Sequence, residues 1–193
     1  MLEAAYATFA ESGYSAATMQ AIAARAGVAT QTLYFSFNTK PDLMREVVSF
    51  ASAGTAESTP VRLRPWYQEA QSSDDPGRIL ELLVTGGGDI IGRLSPISRA
   101  IEEAAAVEPS VAESQKALIR SRREGMRLLL ERVAAVGRLR AGLDVDKATD
   151  IVFVLDSPEM FRRFAARDWS LDEWTRWTLS ALQQLILGAG PVS

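Results

Sequence analysis

Residues 18 to 40, TMQAIAARAGVATQTLYFSFNTK, constrain the fold of this chain more tightly than any other stretch. Counting from Met19, Ala23 is the fifth residue, Gly27 the ninth and Leu33 the fifteenth, with Ile22, Val28 and Phe37 as further apolar points. That spacing predicts a helix, a tight turn and a second short helix, the helix-turn-helix arrangement. Two helices that cross steeply need a small residue where they touch, and Ala23 supplies it. Gly27 falls where the first helix must stop within one residue, a place that favours a left-handed backbone, which glycine adopts at no steric cost. Taken alone, the same residues also fit an ordinary helical hairpin.

Leu33 and Phe37, four apart, face inward on the second helix and leave Thr30, Gln31, Thr32 and Tyr34 pointing away from the core. Such a helix fits the major groove of DNA, with residues near its N-terminus reaching base edges and hydroxyl groups gripping phosphate. Thr18, the expected N-cap of the first helix, puts hydroxyl and backbone donors where a phosphate can lie.

The wider stretch LEAAYATFAESGYSAATMQAIAARAGVATQTLYFSFNTKPDLMREVV resembles the DNA-binding domain of the tetracycline-repressor (TetR) family. Phe9, Gly13-Tyr14, Thr18, Ala26-Gly27-Val28, Thr32-Leu33-Tyr34, Phe37 and Lys40 carry the resemblance, which covers about the first fifty residues. It implies that Tyr34 and Lys40 bind phosphate while Thr30, Gln31 and Thr32 face bases. Ala29 and Ser36 depart from the pattern, where the family often has Ser and His; a weaker cap and one fewer bond to the DNA backbone follow. Family members also usually carry a basic arm and a fuller first turn before the position of Leu2. Residues 1–50 hold Arg25, Lys40 and Arg45 against Glu3, Glu11, Asp42 and Glu46, a net of −1 where a DNA-binding domain is normally basic. The expectation is that N-terminal residues are missing before this start, and that a restored basic arm strengthens binding and steepens its salt dependence.

A chain of 193 residues, 47% of them hydrophobic, can bury a substantial core in one or two small domains. Its 21 basic and 24 acidic residues, net −3, argue against general polyanion binding and leave a sequence-specific motif untouched. The absence of cysteine and histidine excludes disulfides, zinc sites of the usual ligand types and Ser-His-Asp triads. The longest aliphatic or aromatic run, Ile151 to Leu155, is far short of a membrane span, and Glu3 and Glu11 interrupt the place of a signal sequence. A cytoplasmic location is expected.

Further along, Thr39 reads as the cap of a linking helix, with Pro41 in its first turn. Residues 52–75 promise little regular structure beyond one anchored turn at Trp66-Tyr67. Asp75-Pro76 starts a helix to about Gly92 that Gly86-Gly87-Gly88 should interrupt; the triplet matches no phosphate-binding loop. Ser95-Pro96 opens a helix to about Ala106, and Pro109 a long one to Gly137. The long helix and its exit carry Lys116, Arg120, Arg122, Arg123, Arg127, Arg132, Arg138 and Arg140, read as a solvated face partnered by Glu113, Glu124 and Glu131. Asp144 or Asp146 then opens a helix whose Ile151–Leu155 segment is apolar all round and should be buried on both sides. Ser157-Pro158 gives a kink or a fresh cap. Ser170 caps the last helix, with Glu173 completing a capping box, and Gly188 stops it.

These elements describe an all-α chain: a helix-turn-helix domain over 1–50, including the start of the linking helix, and a helical ligand-binding and dimerisation domain over 51–193. The two apolar C-terminal helices suggest a subunit interface through Ile151, Leu155, Trp174, Trp177, Leu182 and Leu185, although Trp174 and Trp177 also suit the monomer core. The family resemblance implies a two-fold dimer built on those helices as a four-helix bundle, a near-palindromic operator in double-stranded DNA, and a small-molecule pocket in the C-terminal domain. Trp66, Leu83, Ile90, Met126, Leu129 and Phe153 are its candidate lining, and with no histidine and few obvious buried charges the effector is expected to be apolar or aromatic. The expected function is a homodimeric DNA-binding transcription regulator, a ligand-responsive repressor, with no catalysis, cofactor or metal. The alternative is a helical protein-interaction or dimerisation module with weakened DNA binding. A carboxylate-only enzyme would draw on Glu102, Glu103 and Glu108, which surface solvation explains better.

Overall fold

The computed structural model describes residues 1–54, 59–137 and 139–188. Among them the chain forms α1 (Leu2–Ala16), α2 (Met19–Arg25), α3 (Thr30–Phe37), α4 (Lys40–Ala53), α5 (Pro65–Ser72), α6 (Pro76–Leu94), α7 (Ser98–Val107), α8 (Pro109–Val136), α9 (Val145–Leu155), α10 (Pro158–Ala165) and α11 (Leu171–Ile186). Short 3₁₀ turns sit at Val61–Leu63 and Ser95–Ile97. The fold is all-α; the sole extended pairing among the described residues is an antiparallel bridge between Leu139 and Leu187. No helix among the described residues is long and apolar enough to cross a membrane.

The helices begin where side chains can satisfy their free N–H groups. Thr18 accepts the Ala21 N–H at 3.1 Å, Thr39 that of Asp42 at 3.2 Å, Asp144 that of Lys147 at 2.8 Å and Ser157 that of Met160 at 3.1 Å. Ser170 and Glu173 form the expected capping box of α11, with the Ser170 N–H donating to Glu173 at 2.9 Å. Ala29, with no side-chain oxygen, leaves α3 without such a bond.

Two compact units result, one from Met1–Ser58 with Arg93–Leu118, the other from Thr59–Gly92 with Ile119–Ser193. In the first, Phe9, Ile22, Ala23, Leu33, Leu43, Met44 and Val47 form a core with Ile97, Ala100 and Ala104 from the α7 region. In the second, Tyr67, Ile79, Leu80, Leu129, Leu130, Val133, Val152 and Leu182 form the main core. Ile91, Phe161 and Trp174 make a smaller cluster beside Phe164, Trp169 and Leu171.

Four expectations change. Trp66 and Tyr67 belong to a full helix, α5, held by the Tyr67 hydroxyl donating to the Gly125 carbonyl at 2.9 Å. The glycine triplet does not interrupt α6, which runs unbroken from Pro76 to Leu94. At Gly86 a Cβ would collide with the Trp66 ring, so the missing side chain is filled by an indole and burial offsets the roughly 1 kcal/mol propensity cost of glycine. The Ile151–Leu155 segment is not enclosed: Val152 is fully buried but Val154 is 55% exposed. Few buried charges were expected, yet Asp156 is 2% exposed and lies beside the partly buried Arg122, whose guanidinium donates to the Asp156 carbonyl and covers the Phe153 ring at 4.7 Å. Elsewhere the arginines of α8 do face solvent and acids, Arg123 meeting Asp150 at 2.9 Å and Arg127 meeting Glu131 at 2.8 Å. Arg138 lies outside the described residues.

Candidate nucleic-acid interface

α2 ends at Arg25, and Gly27 follows at φ 68°, the left-handed backbone that lets the chain reverse into α3 within four residues. Ala23 is fully buried between these helices, and Leu33 is fully buried on the inner side of α3. That seating turns the opposite side of α3 outward. Gln31, Thr32, Tyr34, Phe35 and Ser36 are exposed, whereas Thr30 and Phe37 are half-buried. Phe35 is 90% exposed, the most exposed large apolar residue among those described. Exposure of that extent costs solvation and points to a surface that is covered in use. Sequence reasoning passed over Phe35, although its register, between Leu33 and Phe37 and on neither of their positions, carried the signal.

Thr18 is exposed at the start of α2, its hydroxyl accepting a backbone N–H, and the carbonyl of Ala17 just before it is bonded by Lys40. Lys40 is half-buried: its Nζ donates to the Ala17 carbonyl at 2.8 Å and sits 4.1 Å above the centre of the Tyr14 ring. Burial pulls the Lys40 ammonium below its ordinary pKa, and the Glu108 carboxylate partly offsets the fall. The other two cations of residues 1–50 are paired, Arg25 with Glu11 at 2.5 Å and Arg45 with Asp42. The Arg25 bond holds the Glu11 carboxyl below its usual range. The outward face of α3 is therefore made of hydroxyl, amide and aromatic groups and carries no cation of its own. Among the described residues no cluster of three acidic side chains could hold a metal ion.

The remaining candidates lie in the second unit. Leu83, Met126 and Leu129 are buried in its main core, Trp66 and Phe153 pack against that core, and the half-buried Ile90 lies outside it. An open cleft of about 340 Å³ is lined instead by Arg167, Asp168, Trp169 and Glu173. Trp174 and Leu182 are fully buried within the chain and offer no outer surface to a second subunit. Trp177 and Leu185, each 39% exposed on α11, and Val154 on α9 do offer one; Ile151 and Leu155 are half-buried. The Trp177 ring lies 5.0 Å from Phe164 and 6.3 Å from Trp169. The Asp156 Oδ1, Trp174 Nε1 and Thr178 Oγ1 atoms are buried without hydrogen-bond partners.

Residues 1–47 match the family of bacterial regulatory proteins, tetR family. No curated protein matches the chain. Among solved structures, a mutant of HlyIIR is similar with a TM-score of 0.73 at 18% identity, covering 99% of this chain and 95% of that one. The TetR family transcriptional regulator PfmR from Thermus thermophilus is similar at 0.68 and 20% identity, covering 98% of each chain. SmeT, the repressor of the Stenotrophomonas maltophilia multidrug efflux pump SmeDEF, is similar at 0.64 and 19% identity, covering 98% of this chain and 89% of its own. The N-terminal helix-turn-helix is thus similar to that of bacterial regulatory proteins of the tetR family, and the helices of the chain take the fold of these solved structures.

Proposed function

We propose that the chain is a sequence-specific DNA-binding transcription regulator, a homodimeric repressor released by a small effector and working in the cytoplasm. The observation that carries this reading is the outward face of α3, where Gln31, Thr32, Tyr34 and Phe35 stand exposed on a helix seated by the buried Leu33. Gln31 has the paired donor and acceptor that suit adenine, and Phe35 the apolar surface that suits a thymine methyl. In this reading Thr30 and Thr32 also face bases, and Thr18, Tyr34 and Lys40 hold phosphate. Residues 1–50 form the DNA-binding domain, and 51–193 the domain for ligand and dimer.

The exposed Trp177, Leu185 and Val154 on two C-terminal helices support a self-complementary apolar interface. The effector is proposed to be small and largely apolar or aromatic, with Trp66, Leu83, Ile90, Met126, Leu129 and Phe153 as its lining. The unpartnered Asp156, Trp174 and Thr178 atoms favour one that also carries a hydrogen-bonding group. Release from the operator, and with it relief of repression, then follows if the effector binds more tightly to the conformation that fits DNA less well.

One observation favours a second reading, a helical interaction module with weakened DNA binding: all three cations of residues 1–50 are engaged within the chain. Selection from random duplex DNA, with the mass of the complex measured by light scattering, separates the two. The regulator enriches a near-palindromic site whose half-sites lie about one helical turn, 34–36 Å, or a multiple apart, bound by two chains. Failure to enrich any duplex leaves the module.

A further inference from the structure

α1 contains one residue with non-helical backbone, Gly13, at φ 73° and ψ 175°. The break points the N–H groups of the next two residues away from the helix, and a carboxylate from α7 receives them. Glu103 Oε2 accepts the Tyr14 N–H at 2.9 Å and the Ser15 N–H at 3.5 Å, while Oε1 takes Arg99 at 3.1 Å. A Cβ on residue 13 would lie 2.7 Å from Glu103 Oε2, so the approach needs glycine for space as well as for backbone conformation. At the end of α7, Glu108 Oε1 accepts the Tyr14 hydroxyl at 3.0 Å. Tyr14 is thus held at both ends by carboxylates from distant sequence, and its ring stacks on Phe9 with centroids 5.9 Å apart.

The same ring carries Lys40. Its ammonium lies 4.1 Å above the ring centre and donates to the carbonyl of Ala17, the residue before Thr18. An ammonium has three N–H groups, so after the Ala17 bond two remain for a phosphate oxygen. A free lysine must give up rotamer freedom to hold a phosphate, and here the carbonyl and ring have already restricted it.

We propose that Glu103 and Glu108 are positioning residues for DNA binding: acting through Tyr14, they set the Lys40 ammonium beside Thr18 in the geometry that a phosphate requires. The proposal rests on the reading of Thr18 and Lys40 as phosphate contacts and adds to it a part of the chain, α7, that lies outside the helix-turn-helix. Glu103 is suited to the task because its carboxyl stays below the usual range. Burial pushes it up, but the N–H bonds from Ser15 and Tyr14 and the Arg99 pair outweigh that push.

The test is a double-mutant cycle on the duplex selected by the wild-type chain, with affinities taken at several salt concentrations and thermal unfolding measured in parallel. Tyr14→Phe keeps the ring and loses the Glu108 bond; it is expected to weaken binding about three- to tenfold, the yield of one such bond. Lys40→Met is expected to lower the salt slope by about 0.9 for each phosphate that the chain no longer neutralises. In the Lys40→Met background Tyr14→Phe should have no further effect on affinity. Glu108→Gln, which keeps an acceptor, should retain most of the binding that Glu108→Ala loses. An equal penalty for Tyr14→Phe in both backgrounds overturns the proposal, as does a lower melting temperature with affinity unchanged while the chain is folded. A wild-type chain that selects no duplex removes the DNA-binding reading itself, a failure distinct from either.

Discussion

The two units treat their buried polar groups differently. In the unit that carries the helix-turn-helix, the Tyr6 hydroxyl donates to the Arg93 carbonyl at 2.7 Å, the Arg93 Nε to the Ala51 carbonyl at 2.8 Å, and Tyr14 to Glu108. In the other unit the Tyr67 hydroxyl donates to Gly125 in the same way, but Asp156 Oδ1, Trp174 Nε1 and Thr178 Oγ1 lack partners although buried. A satisfied buried network specifies one arrangement, whereas an unsatisfied group costs about 1–3 kcal/mol until something supplies the missing bond. The contrast suits a head that must present a fixed surface and a body whose polar atoms are left for water or an effector to complete.

The largest effect that could break this comparison is a pH dependence. Burial pushes the Asp156 carboxyl up to about 7, with Arg122 partly opposing the rise. Between the unfolded value of 3.8 and about 7, the unfolded chain has lost this proton and the folded chain has kept it. Stability therefore falls as pH rises through that window and levels off above it, by an amount on the order of 4 kcal/mol at about 1.4 kcal/mol per unit. Chemical denaturation across pH should show the decline in wild type and a nearly flat profile in Asp156→Asn; equal slopes would mean that Asp156 ionises normally. The slope is the quantity to compare, because Asp156→Asn also removes one of the two acidic groups, with Glu159, that act on Arg122.

A smaller pair of substitutions tests the contrast directly. Tyr6→Phe removes a made bond in the first unit and should cost about 1 kcal/mol. Thr178→Val removes a hydroxyl without a partner from the second and should be neutral or stabilising by urea unfolding. Equal costs would erase the distinction. The smallest effect concerns α3, whose cap is missing: Ala29→Ser supplies an oxygen for its first turn and should raise stability by about 0.5–1 kcal/mol, read from the denaturation midpoint.

How far the sequence could be read depended on the range of the interactions. The caps at Thr18, Thr39 and Ser170 and the turn at Gly27 are set by neighbours within a few residues, and each was legible from spacing alone, whereas spacing left Ser157 open between a kink and the cap that it forms. Gly86 of α6 was misread because its compensation comes from Trp66, twenty residues upstream. The bond from the Tyr14 N–H to Glu103 spans 89 positions, and no local pattern announces it. In the candidate interface the inward seat of Leu33 could be seen in advance. The capture of Lys40 by Ala17 and Tyr14 could not, since it depends on how α4 meets the end of α1. The C-terminal apolar positions were legible as a set, but periodicity could not divide them into the buried Trp174 and Leu182 and the exposed Trp177 and Leu185.

The central claim is that the outward face of α3 reads DNA sequence. Random-duplex selection run side by side on the wild-type chain and on Gln31→Ala, an exposed change that leaves the Leu33 seat intact, tests it most directly. A near-palindromic site is expected for wild type and, for the variant, loss of preference at one base pair in each half-site, worth about 1–3 kcal/mol, with the flanking preferences kept. An identical site with undiminished preference, or no enriched site for either chain, would contradict it.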